Sequence, residues 1–459
     1  MRYTAGKIRS MVFLVLFAGS AALFAQEFDF DDDAMFQDDM IQEVDEEEQQ
    51  DRSRDLLSSD QLDIGGRLHS SLQAMWGWQQ APDSWEVFTQ DTNHSVGFRL
   101  GADVFLDARP SESLRVFGKA RTDYPFGENA GDGVNSGAGT SAIEIFELFS
   151  DVNWEERIFF RVGKQTVTWG TGYFWSPADV LSLVPIDVED PEAEREGPLA
   201  IKASVPFAEH SLDMYLIGDT AVQSVLDLGF AARTILYINP VEFRLGTAYQ
   251  RDNPARFTGA VTLPYGDIIG FGEGRISLGR AEQRLSRNAD IQLGEDPYLL
   301  EDDDDVYLSG TIGFRWMPQR WNLSLIGQYL YQGEGYTDSD LLPLAMSALA
   351  EEEDISSDPL RLFGRHHSIL QFSRQELVHS SISGDILWQS AWNDLSGLVS
   401  AGLNWEWFSG FSLRGSLHYG YGDAPSEFGG YFESGEATVR NPYGRLGAGL
   451  ELRIGGGRF

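Results

Sequence analysis

The chain has 459 residues, a formal net charge of −37 at pH 7 and no cysteine. Such an acidic chain, without clustered Lys and Arg, is unsuited to binding nucleic acid. The lack of cysteine excludes disulfide bonds and a lipid-anchored Cys. The 49 Gly, 12 Trp, 16 Tyr and 29 Phe are typical of alternating strands whose ends carry aromatic side chains.

Residues 1–25 have the order of a secretory signal peptide. Basic residues precede an apolar run at 11–17, and small residues lead to Ala25. The run is shorter than the roughly 20 residues that a membrane-spanning helix needs. Beyond it there is no stretch of about 18 apolar residues, so the exported chain can cross a membrane only as strands.

Residues 26–60 are predicted to be a disordered periplasmic arm. Between Glu27 and Asp55 there are 14 carboxylates and two basic residues, and charge blocks of this kind are usually disordered. An alternative hypothesis is that the arm binds a basic periplasmic partner or an escorting chaperone.

Residues 61–459 alternate between apolar and polar side chains in segments of about ten residues, the length that a tilted membrane strand needs. In the first segment apolar Leu68 and Trp76 alternate with polar Arg67 and Gln73. Short turns alternate with long polar stretches, and Trp residues cluster at segment ends, as they do at membrane interfaces. The pattern predicts an all-β fold: a single antiparallel transmembrane β-barrel of about 16 strands (range 14–18) in the outer membrane.

The last residue, Phe459, resembles the aromatic C-terminal signal by which outer-membrane barrels are recognised for insertion. The predicted partners are therefore outer-membrane lipid and the barrel-insertion machinery. No nucleic-acid partner is predicted.

A motif covers residues 161–165 (RVGKQ), 168–170 (TWG) and 173–181 (YFWSPADVL), followed by a charged stretch. It resembles outer-membrane barrels related to alginate-export and porin-like families, with Lys164 where that pattern has Arg. The resemblance implies passage through a lumen narrowed by an inward loop. The implied constriction-loop residues are Trp169, Asp179, Asp187 and Arg195. Alternatively, Trp169, Pro177 and Asp179 merely cap the loop.

Strand parity assigns a set of charged residues of both signs to the inner face of the barrel. Mixed charges across a pore create a transverse field that favours water and small polar solutes. Ion pairs that only fill a packed lumen would give the same pattern. The lumen-lining candidates are Arg67, Arg99, Asp103, Arg115, Lys119, Arg121, Glu147, Asp151 and Arg161.

The function predicted from these features is a porin-like channel for passive diffusion of small polar or charged solutes. One alternative is a plugged conduit for hydrophobic or lipid-like molecules, suggested by the apolar loop segment 341–346 (LLPLAM). Another is a surface-exposed structural or adhesive barrel with long acidic loops.

No enzyme activity, cofactor or metal is predicted. The seven His show no nucleophile-elbow pattern with the neighbouring Ser residues. The acidic run 301–305 lacks the Gly-punctuated ligand spacing of a calcium loop, and a metal at the His366-His367 pair is not predicted either.

Overall fold

Eighteen antiparallel strands form one sheet that closes on itself. The computed structural model describes residues 62–78, 93–126, 143–218, 228–251, 253–279, 284–287, 298–301, 305–337, 362, 364–423, 426–428, 432–434, 437–439 and 446–458. The predicted signal peptide, the acidic arm, the apolar segment 341–346 and Phe459 lie outside these ranges.

The wall strands are β1 (Leu62–Trp78), β2 (Asn93–Ser111), β3 (Leu114–Phe126), β4 (Ile143–Trp154), β5 (Ile158–Lys164), β6 (Leu199–Phe207), β7 (His210–Gly218), β8 (Gly229–Ile238), β9 (Val241–Tyr249), β10 (Ala255–Tyr265), β11 (Ile268–Leu278), β14 (Val306–Trp316), β15 (Leu323–Gln332), β16 (His366–Arg374), β17 (Ile382–Ala391), β18 (Ser396–Phe408), β19 (Phe411–Tyr421) and β22 (Leu446–Arg458). Two short hairpins lie in long connections: β12 (Arg284–Arg287) with β13 (Tyr298–Glu301), and β20 (Phe432–Ser434) with β21 (Ala437–Val439). A 3-10 helix spans Gln319–Trp321. Within the described ranges, no helix is long and apolar enough to cross a membrane.

Closure depends on β1, which pairs with β2 on one edge and with β22 on the other. β22 also pairs with β19, so every wall strand has two neighbours. Because the hydrocarbon of a membrane offers no hydrogen-bond partners, a sheet that spans it must close in this way. The strand number of 18 confirms the predicted range and exceeds its central value of 16.

The alternating sequence pattern sorts side chains between the two faces of the wall. On β14, Leu308 and Ile312 point outward and are 58% and 66% exposed, whereas Ser309 and Thr311 point inward and are buried. Large exposed apolar residues recur on the same outer face of most wall strands. A contiguous apolar outer surface of this kind is typical of contact with lipid.

A β-bulge in β4 keeps apolar side chains on the outer face where the outward positions change from odd to even residue numbers. Lys119 lies opposite Glu147 and Ala120 opposite Ile145, so Phe146 is the extra residue on β4. A bulge moves all later side chains to the other parity. Leu148 is therefore exposed on the outside, like Ile145 before it, although one position is even and the other odd.

The two ends of the barrel differ in the length of their connections. Short turns join β2 to β3, β4 to β5, β6 to β7, β8 to β9, β10 to β11 and β18 to β19 at one end, which we call the short-turn end. Leu62 and Arg458, the first and last described residues, also lie there. Exposed rings gather at this end, among them Trp154, Tyr265, Trp321, Trp405 and Trp407.

The alternating sequence pattern predicts a strand over residues 157–169, with Trp169 in the girdle of aromatic side chains at the membrane interface. The second half of this prediction is wrong. β5 ends at Lys164, and the chain then leaves the wall. Gly163 has a φ of 139°, and a Cβ added there would lie 2.1 Å from the carbonyl oxygen of Leu148. Only glycine fits this geometry, so the chain can turn inward here. Trp169 consequently does not belong to an interface girdle.

We predict that Ile312→Arg, near the middle of the outer face of β14, destabilises the barrel by about 2–4 kcal/mol in lipid vesicles, because a charge at the bilayer midplane is costly. Tyr265→Arg, at the short-turn end, is the matched control and should cost about 0–1 kcal/mol. Urea unfolding of refolded protein measures both. Equal stabilities of the two variants would contradict a lipid-facing outer surface.

Candidate functional site

The connection between β5 and β6, residues 165–198, lies inside the barrel; we call it the inward loop. It contacts Lys119 on β3, Arg233 on β8, Glu273 on β11 and Gln328 on β15. These strands are distributed around the wall, so one segment can reach all of them only from the interior. Their contacting side chains therefore define the inner face.

Glu273 holds the beginning of the loop through backbone hydrogen bonds. Its carboxylate accepts from the N–H groups of Thr171 at 2.5 Å, Gly172 at 3.0 Å and Ala178 at 3.1 Å. The side chain is buried, and three donors compensate for the loss of water around its charge. A carboxylate of the wall thus fixes a turn of the loop.

Gln328 supports the same segment from the neighbouring part of the wall. Its Oε1 accepts from the N–H groups of Tyr173 at 3.2 Å and Phe174 at 2.9 Å, and its Nε2 donates to the carbonyl of Trp175 at 2.5 Å. The aromatic rings of the segment enter an apolar cluster formed by Phe174, Trp175, Val188, Ile326, Leu330, Ile369 and Leu387. The segment 173–175 is therefore anchored among buried apolar side chains.

Trp169 is packed against the inner wall. It is 1% exposed, its Nε1 donates to Thr258 Oγ1 at 3.1 Å, and its ring lies 5.4 Å from that of Tyr215. A Cβ added to Gly246 would lie 2.7 Å from the Trp169 ring, so a glycine in β9 makes room for the indole. The guanidinium of Arg233 lies 5.1 Å from the ring centroid.

The charged stretch of the loop, residues 187–196, faces basic residues of several strands. Glu194 pairs with Lys119 and, at 3.3 Å, with Arg121. Glu192 lies 3.8 Å from Arg315. Glu196 pairs with Lys164, and Glu189 lies 3.8 Å from a ring nitrogen of His418.

Asp179 and Arg195, two of the implied constriction residues, contact each other at 2.8 Å. Asp179 also accepts from Ser182 Oγ at 2.8 Å, so the pair joins the beginning and end of the loop. Asp187 is exposed and accepts from the backbone N–H of Glu189 at 2.8 Å.

Most of the lumen-lining candidates form ion pairs along the wall. Asp103 accepts from Arg67 and Arg121, each at 2.9 Å. Asp151 accepts from Arg161 at 2.7 Å and lies 3.7 Å from Arg115. These pairs bring together strands β1 to β5 on the inner face.

Three candidates have other surroundings. Glu147 accepts from the backbone N–H of Thr166 at 3.1 Å and so contacts the inward loop. Lys119 pairs with Glu194 of the loop. Arg99 is exposed, and no ion pair of its side chain is found within the described residues.

The sequence pattern did not predict Glu273, Gln328 and Arg233, although their side chains form hydrogen bonds with the backbone of the inward loop. Each is a polar residue at an inward position of an alternating strand. Glu273 stands between Gly272 and Gly274, and glycines inside an alternating strand also suit a bend of the barrel wall. A single carboxylate among small residues on an inward position is the feature of the sequence that could have indicated a contact with the loop.

The loop shifts the acidity of two of its own groups. Burial, together with the nearby Glu192 carboxylate, raises the pKa of Tyr173 to about 12. Its phenol therefore stays neutral and donates to Glu192 at 3.1 Å. Burial, followed by repulsion from Asp187, raises the pKa of Asp190 above its usual value of 3.8. Within the described ranges, no group of three or more His, Asp and Glu is placed to hold a metal ion.

No protein-family model and no curated protein matches the chain. Among solved structures, OpdQ of Pseudomonas aeruginosa is 6% identical and covers 86% of this chain and 98% of its own, with a TM-score of 0.49. OccAB1 of Acinetobacter baumannii is 9% identical, with coverages of 86% and 96% and a TM-score of 0.48. A mutant porin of Rh. blastica is 10% identical, with coverages of 86% and 100% and a TM-score of 0.41. The relationship to alginate-export barrels is not among these findings and stays a prediction.

We predict that Glu273→Gln loosens the inward loop. A neutral amide accepts more weakly and leaves at least one backbone N–H without a partner, at a cost of roughly 1–3 kcal/mol. Hydrogen exchange at Thr171, Gly172 and Ala178 should become roughly ten- to hundredfold faster. Glu406→Gln, at an exposed wall carboxylate, is the control. Unchanged exchange in the Glu273 variant would contradict the role of this carboxylate.

We also predict that Asp190→Asn holds the loop more firmly at neutral pH. Because the folded state raises the pKa of Asp190, ionisation of this group weakens the loop as the pH rises above 3.8. The asparagine variant lacks this loss, so its advantage in amide protection should grow with pH and vanish in acid. Protection that is equal in both proteins at neutral pH would refute the prediction.

Proposed function

We propose that the chain is a porin-like channel of an outer membrane, through which small polar or charged solutes diffuse passively past the inward loop. The observation that carries the proposal is the loop itself, held inside a barrel with an apolar outer face and a charged inner face. Barrels of 16 to 18 strands leave an aqueous channel, so a loop is needed to narrow the opening.

The exposure of the charged stretch supports a path for water beside the loop. The Glu192 side chain is 65% exposed and that of Glu189 is 41% exposed, although both lie inside the barrel wall. Such exposure requires solvent-filled space in the lumen. Arg315 of the wall lies 3.8 Å from Glu192, so charges of both signs border that space.

Opposed charges suit polar solutes for a physical reason. Carboxylates of the loop and cations of the wall lie next to each other along the proposed passage, and their field orients water and dipolar solutes. We propose Arg67, Asp103, Arg115, Lys119, Arg121, Glu147, Asp151 and Arg161 as lumen-lining residues, with Arg99 nearer the rim. Trp169, Asp179, Asp187 and Arg195 are proposed as parts of the constriction.

The proposed location follows from the two ends of the barrel. Short turns and the described ends of the chain lie together, as they do on the periplasmic side of outer-membrane barrels. Residues 1–25 would direct export, Phe459 would address the insertion machinery, and the acidic arm would extend into the periplasm. The long connections would then face the outside.

An occluded conduit for hydrophobic molecules is the second candidate function. It is favoured by the apolar cluster inside the wall, where Phe174 and Trp175 of the loop pack against Ile326 and Ile369. An apolar surface in the lumen would bind an apolar solute. In this case the loop would have to move before any transport.

Planar-bilayer recordings of the refolded full chain test the channel. We expect steady ohmic conductance, and we expect Glu189→Gln with Glu192→Gln to shift the reversal potential in a salt gradient toward anion selectivity. The shift is expected because the two substitutions leave wall cations such as Arg315 without a counter-charge. The Glu273→Gln variant should show a larger or noisier conductance.

Glu156→Gln, in the exposed turn between β4 and β5, is the control and should leave selectivity unchanged. A protein that is silent until the loop is loosened would sink the open-channel proposal and favour the occluded conduit. Ohmic channels with selectivity that ignores the loop carboxylates would contradict the proposed path beside residues 187–196.

A further inference from the structure

A cavity of about 370 Å³ lies at the short-turn end of the barrel. It is outside the lumen site, between the turn that joins β10 to β11 and the turn that joins β14 to β15. Its lining consists of Asp267, Trp316, Pro318, Arg320 and Trp321.

The walls of this cavity are fixed by the backbone of the two turns. Met317 N–H donates to the carbonyl of Asp267 at 2.9 Å, which ties one turn to the other. Trp321 N–H donates to the carbonyl of Pro318 at 3.1 Å and closes the 3-10 helix. Asn322 then adopts a left-handed conformation with a φ of 47° and reverses the chain. The site is therefore largely preformed.

Two indoles form the apolar part of the cavity. The rings of Trp316 and Trp321 lie 6.0 Å apart at 85°, an edge-to-face arrangement. Trp321 is 59% exposed, so its ring is available to a ligand. Indoles at the end of a membrane strand lie at the level of the lipid headgroups.

The two charged residues of the cavity have opposite signs. Asp267 and Arg320 both line it, and within the described part of the chain neither side chain forms an ion pair or a side-chain hydrogen bond. Many charges on the inner face, by contrast, are paired. One cavity thus presents a cation, an anion and two aromatic rings, all accessible from the membrane edge.

We propose that this cavity binds the phosphoethanolamine headgroup of a phospholipid. Arg320 would pair with the phosphate, and Asp267 with the ammonium group, which the indole faces also attract. An anionic headgroup such as phosphatidylglycerol would leave Asp267 without a partner and add a negative charge beside it. A choline headgroup cannot donate a hydrogen bond to Asp267, because its nitrogen carries no proton.

This inference rests on the proposed membrane location, but not on conduction. The test is retention of lipid by the full chain, refolded into nanodiscs with equal amounts of phosphatidylethanolamine and phosphatidylglycerol, then released and analysed by native mass spectrometry. We expect phosphatidylethanolamine to be retained in preference. Arg320→Gln should reduce the retention of both lipids, because both carry the phosphate, whereas Asp267→Asn should reduce the preference for phosphatidylethanolamine. Each effect should be about two- to fivefold, the range of a partly exposed ion pair.

Arg157→Gln is the matched control, since Arg157 is an exposed arginine in the turn between β4 and β5. Equal retention of the two lipids by the unchanged protein, or equal effects of the Arg320 and Arg157 variants, would overturn the proposal. A preference that Asp267→Asn leaves intact would indicate a plain phosphate site and would also overturn it.

Trp321→Ala separates the aromatic contribution, and it should lower retention without changing conductance. Free O-phosphoethanolamine, added at the concentration of the lipid headgroup, should not displace the lipid; displacement would overturn the assignment to a membrane lipid. Bilayer recordings on the same samples keep the two proposals apart. A silent barrel that still retains phosphatidylethanolamine would sink the channel and leave this site standing.

Discussion

The pairing of β1 with β22 is the constraint on which the rest of the structure depends. It removes the two free edges of the sheet, and so every wall strand satisfies its backbone hydrogen bonds within the protein. Once the sheet is closed, alternate side chains of each strand point to opposite sides of the wall, one set outward and the other into the lumen. Leu308 and Ile312 can then be exposed and apolar, while Ser309 and Thr311 lie buried on the other side.

A barrel of this width cannot fill its interior with wall side chains alone, and the inward loop occupies part of it. The loop is held in two different ways. Glu273 and Gln328 bind its backbone next to the apolar cluster around Phe174. Residues 187–196 are held by charged groups, several of them exposed. The first half is fixed by direction-specific hydrogen bonds and packing, and the second by charge together with Val188, which is buried in the same apolar cluster.

The alternation of residues predicted the closed antiparallel barrel and a range of strand numbers that includes the observed 18, because period two is a local property of the sequence. The end of β5 could not be read in this way: residues 165–169 continue the pattern but leave the wall, for a reason that lies in the close approach of Gly163 to Leu148. The parity change in β4 could not be read from the sequence either, because the bulge that causes it is visible only in the register of β4 with β3. Glu273 was missed because its partners lie about a hundred residues away.

The different environments of the two loop halves have a consequence for their response to salt. Screening acts strongly on exposed charges and weakly on buried groups. The pair of Glu192 with Arg315 is partly exposed, so added salt weakens this part of the hold on residues 187–196. The bonds from Glu273 to Thr171, Gly172 and Ala178 are buried and keep their strength. We therefore expect ionic strength to change the contact of Glu192 with Arg315, while the segment 171–178 stays in place.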